Sequence, residues 1–189
     1  EPGNINALKN IIKAKSLDSN NNSIAAVIME PMQGQTVGVH PKGYLNEAIN
    51  LCKENSILML FDEIKVGMGR TGKLFSFFEE GVVPDILTIS KALGGGKRAI
   101  GAMVTSAELS RQAYGKRKDS ALHSTTFGGL GESCAVAIEA LNIISDQIFL
   151  DSVEKKGSYF IEKLIQLKIK YPKIIKEIVG KGLYIGIVF

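Results

Sequence analysis

The stretch ILMLFDEIKVGMGRTG, residues 57–72, decides the fold of this chain. It begins as a short apolar run, which is typical of a buried strand, and it breaks at Asp62 into polar residues and glycines. A second stretch, ILTISKALGGG at residues 86–96, repeats this order and has Lys91 after the apolar run. The two stretches predict two strands that each end in residues of a catalytic type.

A helical pattern precedes the first of these strands, and this order favours a parallel sheet. Residues 42–55 have apolar side chains at helical spacing and lead directly into the Asp62 strand. The carboxyl ends of parallel strands share one edge, and open α/β sheets bind ligands in the crevice outside that edge. The sequence therefore predicts that Asp62 and Lys91 face one ligand from two strands.

A carboxylate and a lysine at one sheet edge have two main interpretations. The first is a buried ion pair, or two unrelated loop residues. The second is pyridoxal phosphate chemistry, in which the lysine amine forms an imine with the cofactor aldehyde and the carboxylate keeps the pyridine nitrogen protonated. The spacing of Asp62 and Lys91 alone does not choose between these interpretations.

Local patterns predict the other elements. Helices are expected at residues 2–12, 132–144 and 149–167, with a further helix capped by Ser106 and running through Gln112. Residues 25–29 predict a fully buried strand that ends before Pro31, and residues 100–104 predict another short strand. Residues 19–23 are expected to form an exposed loop.

The composition is that of a folded globular domain. The chain has 189 residues, of which 45% are hydrophobic and 22% charged, with a net charge of +4. Its lysines are spread along helical patterns, so we expect no nucleic-acid partner. No apolar run approaches the roughly 20 residues of a membrane span, and the first residues lack a signal-peptide pattern. We therefore expect a cytoplasmic protein without a membrane partner.

The cysteines and histidines argue against a metal centre. Cys52 and Cys134 lie far apart in helical patterns, as buried free thiols do in a reducing compartment. His40 and His123 lack neighbours at the spacing that zinc ligands require. The sequence thus predicts no metal site.

An ordered set of motifs resembles class III aminotransferases. The set consists of Glu30-Pro31, Asp62-Glu63-Ile64, Gly67-Met68-Gly69-Arg70-Thr71-Gly72, Pro84-Asp85-Ile86, Ser90-Lys91-Ala92-Leu93-Gly94-Gly95-Gly96, Ile100-Gly101-Ala102 and Thr126-Phe127-Gly128-Gly129. The resemblance implies an α/β fold with three α/β/α layers and a mostly parallel sheet. The resemblance implies that the chain forms part of the large domain of a fold-type I pyridoxal-phosphate-dependent transferase. Because family members are longer, we expect residues 1–178 to be part of the cofactor-binding large domain and residues 179–189 to begin a truncated small domain.

The resemblance also implies a role for each matching residue. Lys91 matches the lysine that holds the cofactor as a Schiff base and later moves a proton, and Asp62 matches the carboxylate paired with the pyridine nitrogen. Ile64 matches an apolar residue against the ring, and Glu30 an acid close to the site. Thr126 matches the threonine that binds the cofactor phosphate across the interface of a homodimer. Ordinary alternatives stay open: core packing for Ile64, a turn for Thr126 and loop capping for Glu30.

Two single residues and one dipeptide depart from the family pattern. Lys65 stands where the family usually has a glutamine that hydrogen-bonds the cofactor's phenolic oxygen, so it is counted among the cofactor-binding residues as a second cation beside the imine. Gln35 stands where the ornithine and 4-aminobutyrate enzymes have a glutamate that switches between substrates, which weakens any claim to that switch. Leu130-Gly131 replaces the usual Asn-Pro, so the shape of the phosphate loop is less certain.

The implied function is that of a transaminase, which moves an amino group from an amino acid or amine to a 2-oxo acid with pyridoxal 5'-phosphate as cofactor. The same constellation also serves racemases, aminomutases and decarboxylases, and a truncated inactive relative acting as a binding module is a third hypothesis. A nucleotide site at residues 67–73 is the rival interpretation of the glycines. It fails because Leu74 replaces the hydroxyl that magnesium needs and because the acidic strand comes a few residues before the glycines, whereas in a P-loop enzyme it comes later.

Overall fold

A computed structural model of the chain describes residues 3–16, 24–119 and 121–189, so the loop expected at residues 19–23 lies outside the described residues. The helices are α1 (Ile5–Ser16), α2 (Tyr44–Glu54), α3 (Ala107–Tyr114), α4 (Gly131–Ile144) and α5 (Gln147–Lys170), with short 3₁₀ helices at Ser76–Glu80, Lys91–Gly94 and Arg117–Asp119. The strands are β1 (Ala26–Met29), β2 (Leu58–Asp62), β3 (Ile86–Ile89), β4 (Ala102–Thr105), β5 (Glu177–Lys181) and β6 (Tyr184–Val188).

Strands β1 to β4 form one sheet in the order β1-β2-β3-β4. The pairs β1–β2 and β2–β3 are parallel, while β4 runs antiparallel to β3. The register aligns Met29 with Phe61 and Asp62 with Thr88. The predicted α/β class and mostly parallel sheet are therefore confirmed.

The core lies between one face of this sheet and helices α1 and α2. Alternate residues of the two central strands are buried there, with Phe61 fully buried and Leu87 nearly so. The apolar stripe of α2 faces them, and α1 packs against α2. The alternation that buries Phe61 points its neighbour Asp62 to the other face of the sheet, which is why Asp62 is only half-buried.

Strand β1 is not fully buried, and this prediction was wrong. Its residues alternate between half-buried and exposed, and Ile28 retains 64% of its accessible surface. The reason is that β1 is the edge strand of the described sheet and that the face carrying Ile28 is open there. Met103 of β4, on the same face by register, is likewise 50% exposed. Apolar sequence alone does not distinguish an edge strand from a central one.

The helices follow the sequence pattern, with ends that differ by a few residues. The cap of α3 is as predicted, because the Ser106 hydroxyl accepts the Leu109 N–H at 3.1 Å. Helix α5 extends beyond its predicted ends on both sides. Both cysteines are free; Cys52 is buried as expected, whereas Cys134 is half-buried.

Strands β5 and β6 form a separate antiparallel hairpin that packs against α5. Its turn also contacts the glycine-rich segment after β2, where the Leu183 N–H donates to the Arg70 carbonyl at 3.0 Å. Among the described residues, no single helix is long and apolar enough to cross a membrane; α4 and α5 meet the length and composition only as a pair, bent by 68°.

Candidate active site

Three polar residues follow three neighbouring parallel strands at one edge of the sheet. Glu30 comes directly after β1, Asp62 ends β2, and Lys91 follows β3. Because Met29 aligns with Phe61 and Asp62 with Thr88, Glu30 and Asp62 lie at the same level. Lys91 is three residues past Thr88, a separation of at most about 10 Å. Asp62 and Lys91 thus share one edge, as the strand pattern predicted.

Asp62 is held by the turn that it begins. Its Oδ1 accepts the Ile64 N–H at 2.9 Å, which fixes the carboxylate and places Ile64, half-buried, in the first turn after the strand. Thr88, its partner in the register, has a buried hydroxyl without a hydrogen-bond partner in the described part of the chain. No ion pair joins Asp62 to Lys91 among the described residues, so the ion-pair interpretation does not apply to them.

Lys91 has an unusual backbone conformation. Its φ is +48°, the left-handed region that residues with a Cβ rarely adopt. The flanking contacts hold it there: the Ser90 hydroxyl donates to the Ile100 carbonyl at 2.8 Å, and the Leu93 N–H donates to the Ser90 carbonyl at 3.0 Å. Strain of this kind concentrates at functional sites.

The Lys91 side chain is exposed and borders two cavities. One, of about 440 Å³, is also lined by Gly69, Phe149 and Leu183. The other, of about 460 Å³, is lined by Ser90 and residues 99–101. Each volume is in the range of pockets that hold small molecules, about 300–1,000 Å³.

Glu30 and Lys65 flank the same backbone position. The Glu30 Oε2 accepts the Gly34 N–H at 2.8 Å. A Cβ added at Gly34 would lie 2.8 Å from Glu30 Oε1 and 2.9 Å from Lys65 Cδ. The Lys65 ammonium lies 5.7 Å from the ring centroid of Tyr184, whose hydroxyl donates to the Gly34 carbonyl. Glu30 therefore caps a loop, one of its two interpretations, while it and Lys65 stay close to the Asp62 edge.

Thr126 is the predicted site residue that no hydrogen bond ties to this edge in the described structure. Residues 121–130 are all exposed, and Phe127 retains 77% of its surface. Neither a hydrogen bond nor an ion pair joins Thr126 to Asp62 or Lys91 among the described residues. The segment connects to the site indirectly, because α4 begins directly after it and packs against the Lys91–Gly94 helix.

The glycines of residues 67–72 serve close packing. Gly69 has φ of +81°, and a Cβ there would lie 2.8 Å from Ile144 Cγ2. Gly72 has φ of +90°, and a Cβ there would lie 3.1 Å from the Cβ of Glu154 in α5. The segment is thus covered by α4 and α5 instead of opening a helix toward a phosphate. This packing argues against the nucleotide interpretation.

Sequence reasoning assigned no role to Glu63, which is fully buried beside Asp62. Its Oε1 accepts the Ser76 hydroxyl at 2.5 Å and the Phe77 N–H at 3.2 Å, while its Oε2 has no partner among the described residues. Burial raises the pKa of this carboxyl from 4.5 to about 7, against the opposing effect of the two hydrogen bonds. The signal was present in the strand alternation, which points the residue after Asp62 toward the core.

Comparison with known proteins gives this edge a family context. The sequence profile of class III aminotransferases matches residues 3–189. The chain belongs to the class III aminotransferase family. The profile match includes the sheet edge, the lysine after β3 and the glycine-rich turn. The expected fold-type I large domain is confirmed.

Individual proteins similar to this chain are also named as aminotransferases. The chain is 44% identical over 185 residues to the acetylornithine aminotransferase of Methanocaldococcus jannaschii, covering 96% of this chain and 42% of the relative. It superposes on the N-acetylornithine aminotransferase of Stenotrophomonas maltophilia with a TM-score of 0.83 and 29% identity, covering 100% of this chain and 46% of the other. It superposes on the ornithine aminotransferase of Toxoplasma gondii with a TM-score of 0.82 and 35% identity, covering 97% of this chain and 40% of the other.

The chain spans less than half the length of each of these class III relatives. The T. gondii structure has pyridoxal phosphate at partial occupancy in its active site. The roles of the individual residues of this chain stay predictions.

Proposed function

We propose that the protein carrying this chain is a pyridoxal-phosphate-dependent aminotransferase that moves an amino group from an amino acid or amine to a 2-oxo acid. The observation that carries the proposal is the position of Asp62 and Lys91 at one edge of a parallel sheet. Family membership supports it, because class III relatives named as aminotransferases share this chain's fold and up to 44% of its sequence.

The residues at the edge fit this cofactor. Lys91 is exposed and lines two cavities of suitable size, and Asp62, which lines neither, has its carboxylate fixed by the Ile64 N–H. The buried Thr88 hydroxyl, level with Asp62, still lacks a hydrogen-bond partner in the described chain. A site with an amine, an acid and an unsatisfied hydroxyl suits a polar aromatic aldehyde.

When bound, pyridoxal phosphate supplies an aldehyde and a pyridine ring that accepts electrons. Lys91 Nζ would hold the cofactor covalently and, once released, would move a proton at the substrate carbon. The Asp62 carboxylate would hold the proton of the pyridine nitrogen, an attraction that partial burial would strengthen. Ile64 would pack against the ring. Lys65 would add a cation and Glu30 an acid at the rim of the site.

We also propose that the active protein is a cytoplasmic homodimer, with Thr126 of each subunit binding the cofactor phosphate of the other. The exposure of Thr126 and of the apolar Phe127 beside it supports an interface there. The β5–β6 hairpin supports a second proposal, that the small domain begins near residue 179, since this hairpin forms a sheet of its own.

The first experiment is to mix the protein with pyridoxal phosphate and record the visible absorbance. We expect a band of bound cofactor that Lys91→Ala abolishes and that Lys97→Ala, an exposed lysine nearby, leaves unchanged. Dependence of turnover on a 2-oxo acid then separates a transaminase from a racemase, which needs no acceptor. If wild type and Lys91→Ala give the same spectrum, the proposal is wrong.

A further inference from the structure

A buried carboxyl group next to Asp62 has no role in the chemistry described above. Glu63 has no accessible surface, and the Ser76 hydroxyl and the Phe77 N–H both donate to its Oε1. Both donors lie at the start of the Ser76–Glu80 helix, whose N-terminus has no side-chain cap from the preceding Phe75. Glu63 therefore fastens this short helix to the end of β2.

The backbone of Glu63 makes two further connections. Its N–H donates to the Thr88 carbonyl of β3 at 3.0 Å, and its carbonyl accepts the Gly67 N–H at 3.0 Å. One residue thus joins three parts of the site: the β2–β3 pairing, the turn after Asp62 and the Ser76–Glu80 helix. Because Asp62 precedes Glu63 directly, a shift of Glu63 moves the Asp62 carboxylate.

The charge state of Glu63 also affects how well its side chain is accommodated, and therefore the position of the turn after Asp62. Its Oε2 is buried without a donor among the described residues, and a Cβ added at Gly67 would lie 3.2 Å from it. An ionised oxygen in that position is costly, whereas a protonated one is tolerated better. Ser76 and Phe77 are neutral, and Asp62 is the charged group in the described chain that raises the pKa of Glu63 further.

We propose that Glu63, as a neutral carboxylic acid, is a positioning residue that fixes the turn after β2 and so aims the Asp62 carboxylate at the pyridine nitrogen. This inference rests on the proposed function. Burial favours the protonated form of Glu63, whose carboxyl holds the turn that Asp62 begins. Glu63 acts through Asp62 and does not contact the reacting atoms.

The test compares Glu63→Gln with Glu63→Leu in the protein that carries this chain. Glutamine keeps the acceptor and the neutral charge, whereas leucine keeps the approximate volume alone. We expect the Kd of pyridoxal phosphate to stay within about threefold for Glu63→Gln and to rise at least about tenfold for Glu63→Leu. If Glu63 only filled space in the core, leucine and glutamine would change the Kd by similar amounts, so near-normal binding by Glu63→Gln alone supports the positioning role. Equal binding by wild type and Glu63→Leu, or equal loss in both variants, overturns the inference.

Ser76→Ala provides a second variant if Glu63→Leu does not fold. It removes the 2.5 Å hydrogen bond to Glu63 and leaves the carboxyl in place. We expect the Kd of pyridoxal phosphate to rise about threefold or more. An unchanged Kd in the folded Ser76→Ala protein counts against the inference.

A cofactor-free measurement tests the neutral form. We expect the Tm of the apo-protein, relative to Glu63→Gln, to fall as pH rises from about 4.5 to about 7, because the unfolded chain loses this proton first. A difference independent of pH overturns the neutral assignment. Failure of the proposed function is separate: wild type would then bind no cofactor at all, whereas failure of this inference leaves binding by wild type intact.

Discussion

At the scale of single residues, the backbone of Lys91 has an energetically unfavourable conformation. A φ of +48° places its Cβ in a conformation that costs about 1–2 kcal/mol for residues other than glycine. The Ser90 and Leu93 contacts on either side hold this conformation. The chain thus keeps a lysine where glycine would be more stable, which is consistent with a need for its amine.

Replacing Lys91 by two small residues separates strain from chemistry. Lys91→Gly and Lys91→Ala both remove the amine, but only glycine relieves the left-handed backbone. We expect the free energy of unfolding, measured in urea, to be about 1 kcal/mol higher for Lys91→Gly than for Lys91→Ala. We expect neither variant to bind pyridoxal phosphate covalently. Equal stability of the two apo-proteins would show that the positive φ is not strained.

Sequence reasoning reached some of these residues and missed others for physical reasons. Asp62 and Lys91 were found because each ends an apolar run, and a break in polarity is a local signal. Glu63 was assigned no role because a glutamate after a strand is usually solvated; the strand alternation points it toward the core, but only its three-dimensional partners show what it holds there. The contact between Lys65 and Tyr184 joins residues far apart in the chain, which no local pattern reports.

At the scale of elements, the glycine-rich turn joins the site to the C-terminal hairpin. A Cβ at Gly182 would lie 2.5 Å from the backbone of Thr71, and one at Gly157 in α5 would lie 2.2 Å from the Gly182 carbonyl. Three backbone segments therefore stack without side chains between them: the turn after β2, the β5–β6 turn and helix α5. This junction packs the hairpin directly against the segment that follows Asp62.

Gly157→Ala tests this junction. Alanine normally stabilises a helix interior, but here its methyl group would clash with backbone that has no freedom to move away. We expect the free energy of unfolding to fall by about 3 kcal/mol, measured by urea denaturation.

Gly131→Ala is the matched control for Gly157→Ala, because it also lies in a helix but has open space at the Cβ position. It should change stability by no more than about 1 kcal/mol, in the stabilising direction. Comparable losses in both variants would contradict the stacked arrangement.

Element predictions succeeded where the signal was local. The cap of α3 and the apolar stripe of α2 were predicted from a few neighbouring residues. The burial of β1 was predicted wrongly because it depends on what lies beside the strand and above its face, not on its own residues. The glycine-rich turn was distinguished from a phosphate loop by its order along the chain, whereas its packing against α4 and α5 was not predictable.

At the scale of the whole molecule, the proposed phosphate-binding role of Thr126 depends on which subunit's site it serves. Thr126 lies in an exposed segment, while Asp62 and Lys91 lie together at the sheet edge. In the proposed symmetric homodimer, each subunit would provide Thr126 to the site of the other. The alternative is that Thr126 folds back onto the site of its own subunit.

Mixing two inactive variants distinguishes these arrangements. Lys91→Ala removes the amine, and Thr126→Asp places a negative charge where the phosphate would bind. If each site combines Lys91 of one subunit with Thr126 of the other, a mixed dimer has one site with both defects and one intact site. Equal amounts of the two variants, unfolded and refolded together, should then recover about a quarter of the wild-type activity, since about half of the dimers are mixed. If Thr126 acts within its own subunit, every site in the mixture carries one defect and no activity returns.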